Sequence, residues 1–410
     1  MRVTLLPVET AGYVSGLVAG LLEIGVNARA ILIENHPAKY LQTTRNPAWA
    51  RWTANLTHQK NNTGKVVSPI LYLSGLALRL FGCVWVAAKS DQIILNNGRS
   101  LLPFQLDLLL YRILGIRVIA MMGHGSEIRP ACIDSLGETE IYSAKEINLI
   151  HGECKKRRSF VRRVEAWSDL VISTPTISHY LRRSYVNGHL LGIPVSMPPE
   201  ISTNSDPHSY DSAPDKLRVV HVPSAPNSKG TRVITELCLD LQSEGLIEFR
   251  VASQVTHLDA IRLLSESDLL LDQIYSDVYM PVLASEAAFL GKPSIVAGYA
   301  WHFLDSTSSR MSKPPVINIL PDDLEATLRD LARNSGELQK IGLLAQKFVE
   351  GNRTPAAIAK KYVKILSDDR AYISEMKVEP GPTHYLWGCG SSRVAILSLA
   401  QVYRGKHSCF

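Results

Sequence analysis

Short apolar runs alternate along the chain with longer stretches of helical periodicity, and this alternation is interrupted only once. Alternation of this kind is typical of doubly wound parallel sheets. The interruption covers about residues 193–216, where proline, serine and aspartate indicate a linker. The sequence therefore predicts an α/β fold with two domains, at 1–195 and 217–370, joined by a linker at 196–216. A C-terminal tail, 371–410, is expected to pack back on the N-terminal domain.

Apolar runs and helical spacing predict the individual elements. In the N-terminal half, strands are predicted at 3–7, 28–33, 93–95, 117–121 and 170–173, and helices at 14–24, 70–88 and 101–114. In the C-terminal half, strands are predicted at 217–221, 247–252, 269–272 and 294–296, and helical segments at 230–241, 257–265, 284–290 and 322–348. Open sheets bind ligands beyond the carboxyl ends of their strands, so loops at those ends are the first candidates for a site.

The charge of the chain limits its partners. The formal net charge is +6 over 410 residues, of which 46% are hydrophobic and 20% charged. These values are typical of a globular protein that handles phosphorylated ligands. A nucleic-acid binder would carry a dominant basic face, so nucleic acid is not expected as a partner. The basic cluster at 155–163 predicts a solvated helix face, with contact to an anionic lipid surface as the alternative.

Residues 66–88 form the most hydrophobic stretch, which Arg79 interrupts. Each uncharged half is shorter than the roughly 20 residues that a membrane-spanning helix needs. We expect a core helix, with a helix lying in the membrane interface as the alternative. The six cysteines are scattered, and residues 1–8 have the pattern of a buried strand rather than of a signal peptide. These features predict a cytoplasmic protein, with the inner face of the membrane as the alternative location.

The first candidate site follows the strand predicted at 217–221. A polar loop leads into Lys229, Gly230 and Thr231, which open a helix. Unpaired N–H groups at a helix N-terminus can hold a diphosphate, and a lysine beside them stabilises a leaving group that becomes more negative. The alternative is an ordinary strand-to-helix loop in which Thr231 caps the helix and Lys229 lies in solvent. This motif alone leaves both interpretations open.

The second candidate site follows the strand predicted at 269–272. Tyr279, Pro281 and Val282 lead into a helix, and Glu286 is expected in the first turn of that helix. A carboxylate in a helix otherwise made of alanine, leucine and phenylalanine needs a polar partner, and a ribose diol is a suitable one. The alternative is a capping glutamate in a routine α/β repeat.

Taken together, the Lys-Gly-Thr sequence and the later Glu-Ala-x-x-x-Gly-Lys-Pro sequence resemble the donor half of GT-B glycosyltransferases, especially the retaining family 4 group. The resemblance covers residues 217–300. It implies two Rossmann-like domains facing a central cleft, with Lys229 at the donor diphosphate and Glu286 at the nucleotide ribose. Two positions depart from the family pattern, because Ser224 stands where many members have arginine and Val278 where many have glutamate.

The resemblance implies further contacts on both sides of the cleft. Residues expected at the nucleotide sugar are Gly12, Ser224, Asn227, Lys229, Gly230, Thr231, Tyr279, Pro281, Val282 and Glu286. For Gly12, close packing of helix against strand is an equal alternative. The loop after strand 117–121 is implied to face the acceptor, which His124 would orient. Other acceptor contacts are expected from Gly123, Gly125, Ser126, Glu127 and Arg129. The alternative is a polar turn whose histidine caps a helix.

The resemblance therefore predicts an enzyme that transfers a sugar from a nucleotide sugar to a glycan, lipid-linked or small-molecule acceptor, with retention of configuration. His124, Lys229 and Glu286 are the expected catalytic residues. No cofactor is expected, and no metal, since nothing in the chain resembles the Asp-x-Asp motif of the other main glycosyltransferase fold. The alternatives are a catalytically silent nucleotide-sugar-binding partner of another transferase and an epimerase on the same fold.

Overall fold

Two sheets form the framework of the protein. The computed structural model describes residues 1–34, 46–62, 68–123, 127–129, 131, 144–197, 216–276, 278–299, 301, 304–305 and 313–380. Within these residues the strands form one sheet of seven strands and one of five. Neighbouring strands are parallel throughout, except for one antiparallel pair at an edge of the larger sheet. This architecture confirms the predicted α/β fold class with two parallel sheets.

The strands follow the chain in two blocks. The first block is β1 (Arg2–Leu6), β2 (Asn27–Ala30), β3 (Gln92–Asn96), β4 (Arg117–Met122), β5 (Leu170–Ser173) and β6 (Tyr185–Asn187). The second block is β7 (Leu217–His221), β8 (Ile247–Val251), β9 (Leu269–Gln273), β10 (Ser294–Ala297) and β11 (Ile317–Ile319). A last short strand, β12 (Lys377–Val378), returns to the first sheet and pairs antiparallel with β6. The resulting orders are β12-β6-β5-β4-β3-β1-β2 and β11-β10-β9-β7-β8.

Helices connect the strands and cover the sheets. Those of the first block are α1 (Tyr13–Glu23), α2 (Ala48–Asn62), α3 (Ser68–Lys89), α4 (Leu106–Ile113), α5 (Ala144–Trp167) and α6 (Gly188–Leu191). Those that follow are α7 (Pro226–Lys229), α8 (Thr231–Ser243), α9 (His257–Ser265), α10 (Val282–Phe289), α11 (Leu324–Arg333), α12 (Ser335–Asn352), α13 (Pro355–Leu366) and α14 (Arg370–Glu375). The helix predicted from residue 101 begins only at Leu106, because Phe104 and Gln105 have φ angles of 57° and 58° that end the preceding turn.

The first sheet is covered on both faces, which explains why its strands are apolar almost throughout. On one face α1 and α13 pack on β1 and β4, where Val3, Leu5 and Ile119 are fully buried. On the other face α3 and α4 pack on β3 and β4, and α5 packs on β4 and β5. Among the described residues, the outer layer of this second face therefore includes α3, α4 and α5, together with α2, whose Trp49 and Ala50 join the same cluster.

The chain returns from the second sheet to the first through α13. This helix lies against α1, and the Tyr13 hydroxyl donates a hydrogen bond of 2.7 Å to the Tyr362 hydroxyl between them. The following residues lead to β12 at the edge of the first sheet. The return therefore begins before residue 371, the start of the tail expected to pack on this domain, and residues 381–410 of that tail lie outside the described residues.

Helix α3 differs from its expectation. It is long and apolar enough to cross a membrane, but only 22% of its most apolar window is buried in the protein. The expectation of a core helix is therefore wrong, because α3 packs through one side only and leaves the opposite side exposed.

Candidate functional site

Each sheet has one point at which the strand order reverses. In the first sheet β2 lies on one side of β1 and β3 on the other, and in the second sheet β8 and β9 flank β7 in the same way. Loops that leave such a pair of strands diverge to opposite faces of the sheet and open a crevice at the carboxyl ends. The two candidate positions for a ligand are therefore the carboxyl ends of β1 and β3 and those of β7 and β9.

The first of these positions is filled by the chain itself. The carboxylate of Glu9 accepts hydrogen bonds from the N–H groups of Thr10, Val14 and Ser15 at 2.8, 3.0 and 2.9 Å. It also accepts a hydrogen bond of 2.6 Å from the Ser15 hydroxyl, and Glu9 is only 8% exposed. Because a carboxylate already neutralises the positive end of α1, this end is unsuited to a second anion.

Gly12 lies directly before α1, with φ 75° and ψ 2°. This left-handed conformation favours glycine and lets the chain turn into the helix. One turn later, a methyl group on Gly16 would come within 3.1 Å of Pro194, just before the predicted linker. Helix α1 is thus closely packed at Gly16, while the predicted donor contact of Gly12 stays a prediction.

The second position holds a buried ion pair. Lys229 ends α7 beyond β7, and its ammonium lies 2.5 Å from Oδ1 of Asp272, near the end of β9. The two side chains are 13% and 0% exposed. The other carboxylate oxygen of Asp272 is buried and has no hydrogen-bond partner among the described atoms. The pair therefore fixes the Lys229 ammonium at the reversal point.

Gly230 allows β7 and β9 to bring these loops together. It has a φ of 73° and directly precedes α8, and a methyl group here would lie 2.3 Å from Ile274 Cγ1. The backbone N–H of Ile274 donates to the carbonyl of Lys229 at 3.2 Å. A larger residue at position 230 would therefore push the lysine loop away from the loop that follows β9.

His221, which was not among the residues predicted from the sequence, connects β9 to the first residue of α8. Its Nδ1 donates to the Leu271 carbonyl at 2.7 Å, and its Nε2 accepts from the Thr231 hydroxyl at 2.9 Å. Because a carbonyl can only accept, the proton must be on Nδ1. Burial lowers the pKa of His221, which keeps the ring neutral in this arrangement. Thr231 is thus held by the protein itself at the first position of α8.

Glu286 is buried beside a second histidine that sequence reasoning missed. It is 5% exposed, and its Oε1 lies 2.7 Å from Nε2 of His257, the first residue of α9. The hydrogen bond to Glu286 raises the pKa of His257. Since α10 begins at Val282, Glu286 is its fifth residue, and the expectation of a first-turn position is wrong. The polar partner expected for this carboxylate therefore includes a histidine of the same domain.

Tyr279 lies in the loop that leads into α10. It is 3% exposed, stacks on Trp301 at a centroid distance of 5.6 Å, and donates its hydroxyl hydrogen bond to Asp305. The carbonyl of Pro281 accepts the N–H of Ser285 at 3.0 Å, and Val282 is the first residue of α10. Tyr279 and Pro281 therefore shape this loop through contacts within the protein.

The remaining predicted contacts lie apart from these pairs or outside the described residues. Gly123 and Glu127 are half-buried, and the carbonyl of Arg129 accepts a hydrogen bond of 3.0 Å from Arg157. Ser224 is exposed, and the side chain of Asn227 lies outside the described part of α7. His124, Gly125 and Ser126 lie outside the described residues. In the part of the chain that the structure describes, no group of three metal-ligating side chains occurs, and the expected metal independence stays a prediction.

No family model and no curated protein sequence matches the chain. Several solved structures are similar over most of its length. The Anabaena protein Alr3699/HepE in complex with UDP is 13% identical over 90% of this chain and 100% of its own, with a TM-score of 0.49. An alpha-glucosyltransferase in complex with UDP and DNA is 10% identical over 90% of this chain and 100% of its own, with a TM-score of 0.44. A UDP-GlcNAc 2-epimerase of Methanocaldococcus jannaschii is 11% identical over 90% and 99%, with a TM-score of 0.38.

Proposed function

We propose that the chain is a glycosyltransferase of the hexosyltransferase kind, whose nucleotide-sugar donor binds at the carboxyl ends of β7 and β9. The observation that carries this proposal is the placement of Lys229 and Glu286 as buried, charged side chains in the loop and helix that follow these two strands. A lysine beside a helix N-terminus suits a diphosphate, and a buried carboxylate suits a ribose diol. Because Glu9 fills the corresponding position of the first sheet, the second sheet is the better place for an anionic donor.

In the proposed reaction the bond between the anomeric carbon and the phosphate oxygen breaks, and the nucleotide diphosphate leaves with the electron pair. Lys229 and the N–H groups at the start of α8 stabilise the charge that grows on this leaving group. The leaving phosphate accepts the proton of the acceptor hydroxyl on the same face of the sugar, which gives retention. Glu286 accepts hydrogen bonds from the ribose hydroxyls, and His124 orients the acceptor.

The proposed donor site predicts selective stabilisation by one class of nucleotide sugar. The purified protein is heated with UDP-, GDP-, dTDP- and ADP-sugars and with the free nucleotides. A ligand at about 100 times its dissociation constant adds roughly 2.7 kcal/mol to the free energy of unfolding, which is readily seen as a raised Tm. A selective shift identifies the base, and no shift with any nucleotide would contradict the proposal.

The same ligand then distinguishes transfer from the two other functions of this fold. Incubation with and without candidate acceptors is followed by analysis of the free nucleotide and of the sugar, with a chelator present. Transfer predicts nucleotide release that depends on an acceptor. An altered sugar formed without acceptor would instead indicate an epimerase, and tight binding without turnover would indicate a silent partner.

We further propose that the first domain works at the inner, anionic face of a membrane, on a lipid-linked acceptor. Helix α3 carries exposed apolar side chains along its length, and the largest are 51–66% exposed: Ile70, Leu73, Leu80, Phe81 and Val84. Helix α4, in the same outer layer, adds exposed side chains at Leu106 and Ile113, and Leu114 directly after it is also exposed. An apolar face of this kind, lying in the interface plane, binds a lipid surface.

Basic residues lie on α5, which packs against the same face of the sheet. Lys155, Lys156 and Arg162 on α5 are exposed, and the guanidinium of Arg163 lies 5.6 Å above the exposed ring of Phe104. Each basic side chain near an anionic lipid surface contributes about 1 kcal/mol, and apolar insertion adds to it. The face therefore combines the two interactions that hold a peripheral protein on an anionic membrane.

The double variant Leu80→Gln/Phe81→Gln is expected to lower binding to anionic vesicles by about 10-fold or more, because two apolar side chains no longer enter the interface. Sedimentation with vesicles that contain phosphatidylglycerol measures the effect, with vesicles of phosphatidylcholine alone for comparison. Leu239→Gln, at an apolar side chain 49% exposed on α8 of the other domain, is the matched control and should bind as the natural chain does. Equal sedimentation of all three proteins would contradict the proposal.

A further inference from the structure

The chain passes between the two domains twice, outward after α6 and back after α12, and these two crossings meet at Arg353. This residue follows α12, at the point where the chain returns to the first domain, and its carbonyl accepts the N–H of Val195 at 2.9 Å from the outgoing crossing. Its side chain lies directly against Gly192, where a methyl group would come within 2.1 Å of Nη1. Arg353 is only 8% exposed, so its guanidinium is enclosed between the two crossings.

The guanidinium of Arg353 has no partner among the residues that the structure describes. Within the residues that the structure describes, it makes no hydrogen bond and no ion pair, and its Nε is buried without an acceptor. Burial lowers the pKa of Arg353 to about 10. A guanidinium carries five donors and a fixed charge, and enclosing it without an acceptor or counter-ion opposes folding.

The side chains around Arg353 add donors and positive charge rather than acceptors. Lys361 on α13 donates to the carbonyls of Leu190 and Leu191 at 3.2 and 3.1 Å, at the end of α6. Burial, and secondarily the charge of Arg353, lowers the pKa of Lys361 to about 8. The ammonium is therefore held beside the guanidinium although the two groups repel each other.

His189 is the third member of this group. It lies on α6, is 8% exposed, and its Nε2 is buried without a partner in the described part of the chain. Burial, and secondarily the charge of Arg353, lowers the pKa of His189 to about 3, so the free ring is neutral and offers one N–H donor. Its ring centroid lies 6.5 Å from that of Tyr279, in the loop that leads to Glu286. This histidine of the first domain thus faces the second.

We propose that Arg353 and His189 form a binding site for one phosphate or carboxylate group at the junction of the two domains, with Lys361 adding positive charge. Both side chains are about nine-tenths buried, and each has a buried nitrogen without a partner among the described residues, so that one anion can accept hydrogen bonds from both. The site is separate from Lys229, which lies after β7 beside Asp272 of β9. It goes beyond the proposed transfer reaction, and its bound anion connects the domains.

The test measures the Tm of the full chain as inorganic phosphate or acetate is added, at constant ionic strength. The natural protein is expected to gain several degrees and to saturate. Arg353→Met should be at least as stable as the natural chain without these anions, since it removes an unpaired buried charge, and should gain nothing from them. His189→Phe, which keeps a ring beside Tyr279, should weaken the apparent affinity by at least 10-fold.

Two controls separate this site from others. Arg183 donates to the backbone carbonyls of Glu165, Ser168 and Asp169, so Arg183→Met should lower the Tm in every buffer and keep the gain from the anion. Lys229→Met should also keep the gain, which makes the result independent of the donor site. A response to phosphate alone identifies a phosphoryl group as the ligand, and a response to acetate alone identifies a carboxylate. No gain in the natural chain, or an equal gain in Arg353→Met, would overturn the proposal.

Discussion

Alanine in place of Lys229 is expected to lower kcat/KM for sugar transfer by about 100-fold or more. The ammonium is held 2.5 Å from Asp272 and next to the N-terminus of α8, so it meets a diphosphate without having to be ordered first. Removing one preorganised donor from a developing negative charge lowers rates by about 10²–10³. Steady-state kinetics with the nucleotide sugar identified by thermal stabilisation measures the effect.

Lys229→Ala is also expected to lower the stability of the fold, and the control variants separate this effect from the loss of transfer. Lys229→Ala leaves the buried Asp272 carboxylate without its counter-ion, which destabilises the fold by itself. The double variant Lys229→Met/Asp272→Asn removes both charges, and should keep a Tm near that of the natural chain while transfer is lost. Arg232→Met changes an exposed cation on α8, three residues after Lys229, and should transfer normally. A double variant that transfers at the natural rate would exclude Lys229 from the reaction.

Glu286→Ala is expected to raise the dissociation constant of the nucleotide by about 30- to 100-fold. Hydrogen bonds to a charged group contribute about 1.5–3 kcal/mol, and every 1.4 kcal/mol is about a factor of ten. Calorimetric titration with the natural nucleotide and with its 2′,3′-dideoxy analogue isolates the ribose contact, because the variant should lose affinity only for the natural one. Glu236→Gln, at an exposed carboxylate on α8, is the matched control. An equal loss with both nucleotides would contradict the ribose role.

The loss of stability caused by Glu286→Gln is expected to depend on pH. In the natural protein, the hydrogen bond between His257 and Glu286 raises the pKa of His257 above the ordinary 6.5. The stability that this pair contributes is therefore fully present below pH 6.5 and is lost as the pH rises through the raised value. Urea unfolding should show a larger deficit for Glu286→Gln below pH 6.5 than in alkaline buffer. A deficit that does not change with pH would show that His257 stays neutral beside Glu286.

Much of the second domain could be predicted because its elements have strong local signals. The predicted strand 217–221 and the predicted helix 257–265 coincide with β7 and α9. Apolar runs bounded by turns fix such segments without knowledge of the rest of the fold. Strands of only two or three residues, such as β6, β11 and β12, carry too short a pattern for this and were not predicted.

The side-chain pairs of the site could not be predicted, because they depend on the strand order. His257 follows β8 and Glu286 follows β9, and the two strands lie on opposite sides of β7. The spacing of His257 and Glu286 in the sequence does not show that their side chains are neighbours in the fold. The pairing of Lys229 with Asp272 depends on the contact of β7 with β9 in the same way. The exposure of α3 was missed for a related reason, since an apolar helix has the same pattern in a core as on a lipid-facing surface.

The return of α13 and β12 to the first sheet has a consequence for the order in which a ribosome-bound chain can mature. Residues 217–352 leave the ribosome as one continuous stretch and contain all strands of the second sheet. In the first domain, by contrast, α1 lacks α13, the helix that packs against it, and β6 lacks its partner strand β12, until residue 378 has emerged. Nascent domains generally fold as units from the N-terminus. Here the later domain is expected to finish first, while the earlier one waits with an open β6 edge that solvent, a chaperone or a second chain can reach.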